Sequence, residues 1–240
     1  MKKYLIFTFT LLFSICSNAN LALVKDKDGS ANVRAQPSLQ GKVISQIKNN
    51  ELIYCLETST RDFCDIQTAN GLEGYIHRSR ISLLEKDNNW EFNRSIDDRA
   101  EFVRQNNKIS IFVEKVKFDQ KNFSVVQKND QPILMYLNNQ VWGTDNIIPL
   151  SEMLKLKYIK GILNGYTFNI VATDFAEFVF PNTPLHSEDL NDHEQLEIYR
   201  NGEDIYLFFQ LSVGGAAQYG LVFKVNKGKL QQQWVWLMAI

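Results

Sequence analysis

The sequence predicts a mainly β, or all-β, protein in which a small antiparallel barrel precedes a larger antiparallel β-rich domain with one short helix. Before residue 85, three short runs rich in strand-forming residues are separated by polar turns: Lys42–Ile47, Glu51–Leu56 and Phe63–Thr68. Runs of this length at this spacing are typical of a small barrel. Beyond residue 108, longer alternating runs are separated by Asn-Gly and similar turns, which favours a meander of long strands.

A polar segment divides the chain. Glu85, Lys86, Asp87, Asn88 and Asn89 follow one another without apolar periodicity. Such a run is typical of a linker. We therefore expect a leader at residues 1–19, a barrel at 20–84, a linker at 85–94 and a β-rich domain of unassigned family at 95–240.

The larger domain carries clear hairpin signals. Asn164 and Gly165 separate the apolar runs Tyr158–Leu163 and Tyr166–Val171, and both turn residues readily adopt positive φ. Further turns frame three more runs, Ile205–Val213, Tyr219–Val225 and Leu230–Leu237. We interpret the domain as a sandwich or curved sheet with a helix packed on it.

The single helix is expected at the start of this domain. Ser95, Ile96, Asp97 and Asp98 resemble a capping box. Ile96, Ala100 and Val103 then recur at helical spacing.

The first 19 residues have the layout of a secretory signal. Two lysines precede an apolar run from Tyr4 to Ile15, and Ser17, Asn18 and Ala19 form a small-residue cleavage site. A membrane anchor is the alternative, but about 12 apolar residues fall short of the roughly 20 that a spanning helix needs. Lipid attachment at Cys16 is a second alternative, although Ile15 stands where lipoprotein signals carry a small residue. We expect a cleaved signal and a periplasmic product.

The charge balance argues against nucleic acid as a partner. Loss of the signal removes two lysines and no acid, which leaves 24 basic against 27 acidic side chains. Proteins that bind phosphate backbones carry a basic excess or a basic stripe, and neither is visible along this sequence.

The two cysteines of the mature chain, Cys55 and Cys64, favour a disulfide. An even cysteine count is typical of disulfides in exported proteins. Cys64 alternates with polar neighbours, and Cys55 shares its parity with Ile53, so a hairpin turning at Ser59 to Asp62 places both cysteines on one face. Two buried free thiols remain the alternative.

The first domain resembles bacterial SH3 domains. Asn32–Ser38 reads Asn-Val-Arg-Ala-Gln-Pro-Ser and is similar to the Asn-Val-Arg-x-x-Pro-Ser signature that opens them. Gly41–Ile44 is similar to their second strand, and Gly71–His77 to their closing Gly-x-x-Gly-Trp-Val-His segment. The resemblance spans about Leu21 to Leu84 and implies an SH3-like barrel that binds cell-wall material or peptides.

Small barrels bind extended ligands in shallow grooves of aromatic and polar side chains. We expect such a groove at Asn32, Arg34, Tyr54, Phe63, Tyr75 and His77. Phe63 and Tyr75 stand where the family commonly has Trp, which weakens stacking. Arg34 is a candidate partner for a carboxylate of a wall peptide. In the alternative interpretation, Asn32 and Arg34 only tie their strand to the neighbouring loop.

No catalytic constellation is visible, so we expect no enzyme, no cofactor and no metal. His186 and His193 flank an acidic loop, but their spacing matches no standard zinc or calcium site. Both mature cysteines lie in the barrel, and no serine-hydrolase, zinc-peptidase or phosphate-loop motif occurs. A glycan-cleaving carboxylate pair remains open.

Two functions fit these features. In the first, the SH3-like module of an exported, non-catalytic protein docks on cell-wall peptide or glycan, or on an envelope protein. In the second, the chain is a periplasmic immunity or inhibitor protein that blocks a toxic envelope hydrolase. The resemblance favours the first.

Overall fold

The protein is all-β in a computed structural model that describes residues 20–56, 60–96, 98–128, 131–144, 146–149, 152–171, 177–180, 196–211 and 219–237. Its helical content there consists of short 3-10 turns at Arg78–Arg80 and Gln120–Asn122, and no helix among the described residues has the length and apolarity to span a membrane. The predicted fold class is confirmed. The predicted signal, with Cys16, and the loop with His186 and His193 lie outside the described residues.

The chain divides into two compact units. One comprises Met1–Ile66 and Glu73–Ser82, and the other Gln67–Leu72 and Leu83–Ile240.

The first unit is built on a seven-stranded sheet of short strands. They are β1 (Asn20–Val24), β2 (Ser30–Arg34), β3 (Val43–Lys48), β4 (Leu52–Leu56), β5 (Phe63–Gln67), β6 (Glu73–His77) and β7 (Ile81–Leu83), and their order is β3-β2-β6-β5-β4-β1-β7. Side chains alternate between the two faces of a strand. One face therefore collects the buried residues Ala22, Val24, Ala31, Val33, Ile47, Ile53, Cys55, Cys64, Ile66 and Ile76.

A disulfide joins β4 to β5 within this core. Cys55 and Cys64 are bonded and their Cα atoms are 5.8 Å apart, a usual separation for a disulfide. The predicted pairing is confirmed. Both cysteines are buried, so the bond links two strands inside the core and does not merely close a surface loop.

Replacing Cys55 and Cys64 together with Ala should destabilise the first unit by about 2–3 kcal/mol, because the bond closes a loop of about 10 residues in the unfolded chain. Hydrogen exchange measured by mass spectrometry on peptides of β4 and β5 reports on this unit. Protection equal to that of the wild-type chain would contradict the prediction, and peptides of residues 107–116 provide an internal control.

The second unit contains two sheets. Its strands are β8 (Glu85–Lys86), β9 (Glu91–Ile96), β10 (Arg99–Arg104), β11 (Asn107–Val116), β12 (Phe123–Lys128), β13 (Gln131–Tyr136), β14 (Asn139–Trp142), β15 (Met153–Leu163), β16 (Tyr166–Val171), β17 (Glu177–Phe180), β18 (Leu196–Asn201), β19 (Asp204–Leu211), β20 (Tyr219–Asn226) and β21 (Lys229–Leu237). One sheet runs β12-β13-β14-β17-β15-β11-β10-β9, with β16 also paired to β15, and the other runs β21-β20-β19-β18-β8.

The two sheets share one apolar core. Ile109, Ile111 and Ile159 of the larger sheet belong to the same buried cluster as Leu207 and Phe223 of the smaller sheet. The unit is therefore a sandwich, one of the two architectures expected. The predicted Asn-Gly hairpin is also confirmed, since Asn164 and Gly165 adopt φ of 51° and 82° between β15 and β16.

The predicted helix at Ile96, Ala100 and Val103 is wrong. The segment instead forms the β9–β10 hairpin, in which Arg99 pairs with Ile96. Ala100 lies opposite Ile111 of β11 and is fully buried. Pairing on both sides and burial in the sandwich core outweigh a local helical pattern that only three residues define.

The polar segment 85–94 is also more structured than a linker. Glu85 and Lys86 form β8, which pairs with β18, and the segment extends into β9. Interactions of Asp87 hold this polar run in place. Its buried carboxylate is ion-paired with Arg104 and Arg200 and accepts a hydrogen bond from Trp90 Nε1. Burial opposes ionisation, but the hydrogen bond from Arg200 and the charges of both arginines hold the pKa of Asp87 below its usual value.

A second carboxylate, Glu101, is surrounded by three cations. Its side chain is only 2% exposed, with Arg94 Nε at 2.6 Å, Lys108 Nζ at 2.7 Å and Arg99 Nε at 3.5 Å. The hydrogen bond from Arg94 is the main cause that lowers the pKa of Glu101 from 4.5 to about 2, against the opposing effect of burial. The folded state therefore favours the ionised carboxylate of Glu101.

Replacing Glu101 with Gln should lower the free energy of unfolding of the second unit by about 1–3 kcal/mol at neutral pH, because Arg94, Arg99 and Lys108 lose the charge of their buried acceptor. The folded pKa lies below the ordinary one, so the contribution is complete above pH 4.5 and disappears as the pH falls toward 2. The difference between wild type and variant should therefore shrink over that interval.

Urea unfolding followed by tryptophan fluorescence measures this difference, because all four tryptophans lie beyond residue 83. Glu203→Gln is a matched control, since Glu203 forms an exposed ion pair with Lys227 and exposed pairs contribute little. Equal effects of the two substitutions, or a Glu101 effect that does not change with pH, would contradict the assignment.

Candidate functional site

The residues predicted to bind a ligand converge on one face of the first unit. Arg34 of β2 lies opposite Tyr75 of β6, and strand alternation places Asn32 beside Arg34 and His77 beside Tyr75. Phe63 of the adjacent β5 contacts the His77 ring. We call this surface, formed by Asn32, Arg34, Phe63, Tyr75 and His77, the outer β2–β6–β5 face.

His77 is held from two sides. The Phe63 ring meets the imidazole edge-on, with ring centroids 5.1 Å apart. The imidazole Nδ1 lies 2.8 Å from Ser79 Oγ and caps the turn Arg78–Arg80 by accepting from the Ser79 backbone N–H. His77 is half-buried, as is Tyr75. The His77 ring therefore has fixed supports, and both His77 and Tyr75 reach the surface.

The two polar residues of β2 make contacts within the protein. The Arg34 guanidinium donates to the Gly41 carbonyl at 2.7 Å, across the 35–41 loop. Asn32 is exposed, and its side-chain oxygen accepts from Gln46 of β3 at 2.9 Å. These are the tying contacts of the alternative interpretation. Ligand contacts by either residue stay a prediction.

Tyr54 and Phe63 are less accessible than a groove lining requires. Tyr54 is 6% exposed and Phe63 is 5% exposed. Tyr54 lies in β4, where Leu52, Ile53 and Cys55 are buried too, so this strand is covered on both faces. In a strand that is buried on both faces, apolar and polar residues do not alternate, so the sequence does not show which face is exposed. We therefore restrict the candidate contact surface to Tyr75, His77, Asn32 and their neighbours.

Two acidic residues that the sequence analysis did not select extend this surface. Asp65 follows Phe63 by two residues on β5, and Glu73 precedes Tyr75 by two residues on β6, so each shares a face with its aromatic neighbour. Burial, and then the negative charge of Glu73, raises the pKa of Asp65. A cationic group next to Asp65 would offset both effects. The alternation of Asp65 and Gln67 with Cys64 and Ile66 was the signal available in the sequence.

A glycine places β6 against β2. Gly74 has φ of 151°, and a Cβ there would lie 2.7 Å from Val33 Cγ1 and 2.8 Å from the Arg34 carbonyl oxygen. Gly71, in the turn before β6, has φ of 80° but nothing within 4 Å of its Cβ position. The first glycine is thus required for close strand packing, and the second for its backbone conformation only.

Replacing Gly74 with Ala should therefore destabilise the first unit by at least about 2 kcal/mol, because both backbone strain and a steric clash are introduced. Gly29→Ala is the matched control within the first unit, since Gly29 has φ of 85° and nothing within 4 Å of its Cβ position, and it should cost only about 1 kcal/mol. Hydrogen exchange at β2 and β6 measures both. Equal losses of protection would show that the close approach to Val33 has no energetic consequence.

The described residues contain no group of three or more His, Cys, Asp or Glu side chains arranged to hold a metal ion. The outer face itself offers aromatic rings, carboxylates and amide groups. These groups bind ligands through contact, hydrogen bonds and charge.

Comparison with known proteins identifies part of this unit. A family model described as bacterial SH3 domain matches residues 29–82, which confirms the resemblance, and no family model matches the remainder of the chain. No curated protein and no solved structure gives a significant match. The matched segment includes β2 and β6 and hence the two strands that carry Asn32, Arg34, Tyr75 and His77.

Proposed function

We propose that the bacterial SH3 domain at residues 29–82 docks an exported, non-catalytic protein onto the peptide part of the cell wall. The observation that carries this proposal is the convergence of Tyr75, His77 and Asn32 on the outer β2–β6–β5 face. The family match supports it, since bacterial SH3 domains are typical cell-wall and peptide-binding modules. Family likeness alone does not define a ligand, whereas the side chains of this face limit which groups it can bind.

The charges of the face favour an amino group of the ligand over a carboxylate. Arg34, the cation first expected to meet a carboxylate, already donates to the Gly41 carbonyl. Asp65 of β5 lies two residues from Phe63, so strand alternation places its negative charge on the outer β2–β6–β5 face. A wall peptide that carries a free amine gains charge-assisted hydrogen bonds here, and the Tyr75 ring adds contact with the peptide or an attached sugar.

Export is part of the proposal. The layout of residues 1–19 is that of a secretory signal. The Cys55–Cys64 disulfide supports an oxidising compartment, since disulfides are rare in the bacterial cytosol. Protease protection in intact cells and spheroplasts, together with the N-terminal sequence of the processed chain, tests this part independently of binding.

Sedimentation with purified peptidoglycan sacculi tests the docking site. Tyr75→Ala should weaken binding by about 5- to 30-fold at an unchanged melting temperature, the loss typical of an aromatic contact residue. Tyr166→Ala is the matched control, because Tyr166 is an exposed tyrosine of the second unit. Adding Asp65→Asn and Glu73→Gln to this variant should reduce sacculus binding further. The binding that remains should be less sensitive to salt.

Three results would contradict the proposal. Wild-type protein that does not sediment with sacculi removes the wall as a partner. If the Tyr75→Ala variant binds sacculi as the wild type does, the ligand binds at another surface. New muropeptides after prolonged incubation, detected by chromatography and lost on mutation of an acidic residue, would contradict the non-catalytic assignment.

A further inference from the structure

The face of the larger sheet that points away from the sandwich core carries a contiguous cationic cluster. Because Ile109, Ile111 and Ile159 point inward, their neighbours along β11 and β15 point outward. Arg99 lies opposite Phe112, and Phe112 lies opposite Tyr158. We call the outward side chains Arg94, Arg99, Glu101, Lys108, Phe112, Tyr158 and Lys160 the basic face.

The acidic member of this face organises three of the cations. Glu101 is buried beneath Arg94, Arg99 and Lys108 and pairs with all three. One carboxylate neutralises only one of three positive charges. Arg94 and Lys108 remain about half exposed, at 51% and 43% of their side chains, so their charge is presented to solvent.

Aromatic rings hold the fourth cation. Phe112 and Tyr158 stack with centroids 4.3 Å apart. Lys160 Nζ lies 4.7 Å from the Phe112 centroid and 5.5 Å from that of Tyr158, and the Arg99 guanidinium lies 5.6 Å from Phe112. These cation–π contacts fix the positions of the charges without neutralising them.

The basic face therefore carries four cations and one carboxylate, an excess of three positive charges, on a chain whose formal net charge is −1. Next to it, Glu114 pairs with Lys155 and Lys157. Like charges gathered on one face repel one another, so a partner that supplies negative charge gains electrostatic energy there.

Exposed apolar side chains border these cations. Ile162 lies opposite Lys108 and Val171 lies opposite Tyr158, so both share the outward face. They are 41% and 38% exposed, respectively. Cations adjoining exposed aliphatic and aromatic groups on one sheet face match the boundary between anionic headgroups and acyl chains. A purely polar polyanion gains nothing from Ile162 and Val171.

We propose that the basic face is a peripheral binding site for an anionic phospholipid surface. Lys108, Lys160 and the two arginines meet the headgroup phosphates, while Ile162, Val171 and the Tyr158 ring contact the upper acyl region. The site is independent of the SH3 domain and its ligand.

Vesicle sedimentation of the full chain tests this proposal, with phosphatidylglycerol–phosphatidylcholine vesicles as the probe and pure phosphatidylcholine vesicles as the reference. Binding should require the anionic lipid and weaken with salt. The double substitution Lys108→Gln and Lys160→Gln should lower affinity by at least about tenfold. Lys121→Gln with Lys229→Gln removes the same charge from exposed positions elsewhere and should change affinity by less than about twofold.

A second substitution separates a lipid surface from a soluble polyanion. Ile162→Ser should weaken vesicle binding severalfold while leaving any adsorption of heparin or an oligonucleotide unchanged. The proposal is overturned by absent or lipid-independent vesicle binding, by equal losses in the two double variants, or by an Ile162→Ser variant that binds vesicles as the wild type does. Tryptophan fluorescence of each variant confirms that the second unit is folded.

Discussion

Burial of one strand face in the core determines which side chains of β2, β6, β11 and β15 remain available for function. In the first unit, Val33 and Ile76 pack into the core, so Arg34 and Tyr75 must point the other way. In the second unit, the inward positions of Ile111 and Ile159 send Phe112 and Tyr158 outward in the same manner. Both candidate surfaces are thus consequences of core packing, and a register slip of one residue would bury them.

Buried carboxylates are a second constraint, because they fix the positions of the cationic side chains that pair with them. Asp87 forms ion pairs with Arg104 and Arg200. Glu101 forms ion pairs with Arg94, Arg99 and Lys108. An unpaired buried charge is costly, whereas a paired one fixes the orientation of its partners. The charge pattern of the second unit is therefore held by its interior, although the cations themselves reach the surface.

Local chemistry was sufficient to predict several features. The Asn164–Gly165 hairpin follows from backbone preference alone, and the Cys55–Cys64 bond follows from strand parity. The helix at Ile96–Val103 was wrong because pairing with β11 is a tertiary interaction that a local pattern does not contain. The burial of Tyr54 was missed because a strand covered on both faces lacks alternation. The basic face joins Lys108 to Lys160 across separate strands, so no stripe is visible along the sequence.

We propose that Tyr75, His77 and Asn32 form the contact surface of the SH3 domain. The most direct measurement is a backbone amide NMR titration of the full mature chain with a soluble muropeptide that carries a free amine. We predict concentration-dependent shifts at β2, β5 and β6, centred on Tyr75 and absent when the amine is acetylated. Shifts confined to the second unit, or shifts that acetylation leaves unchanged, would contradict the account.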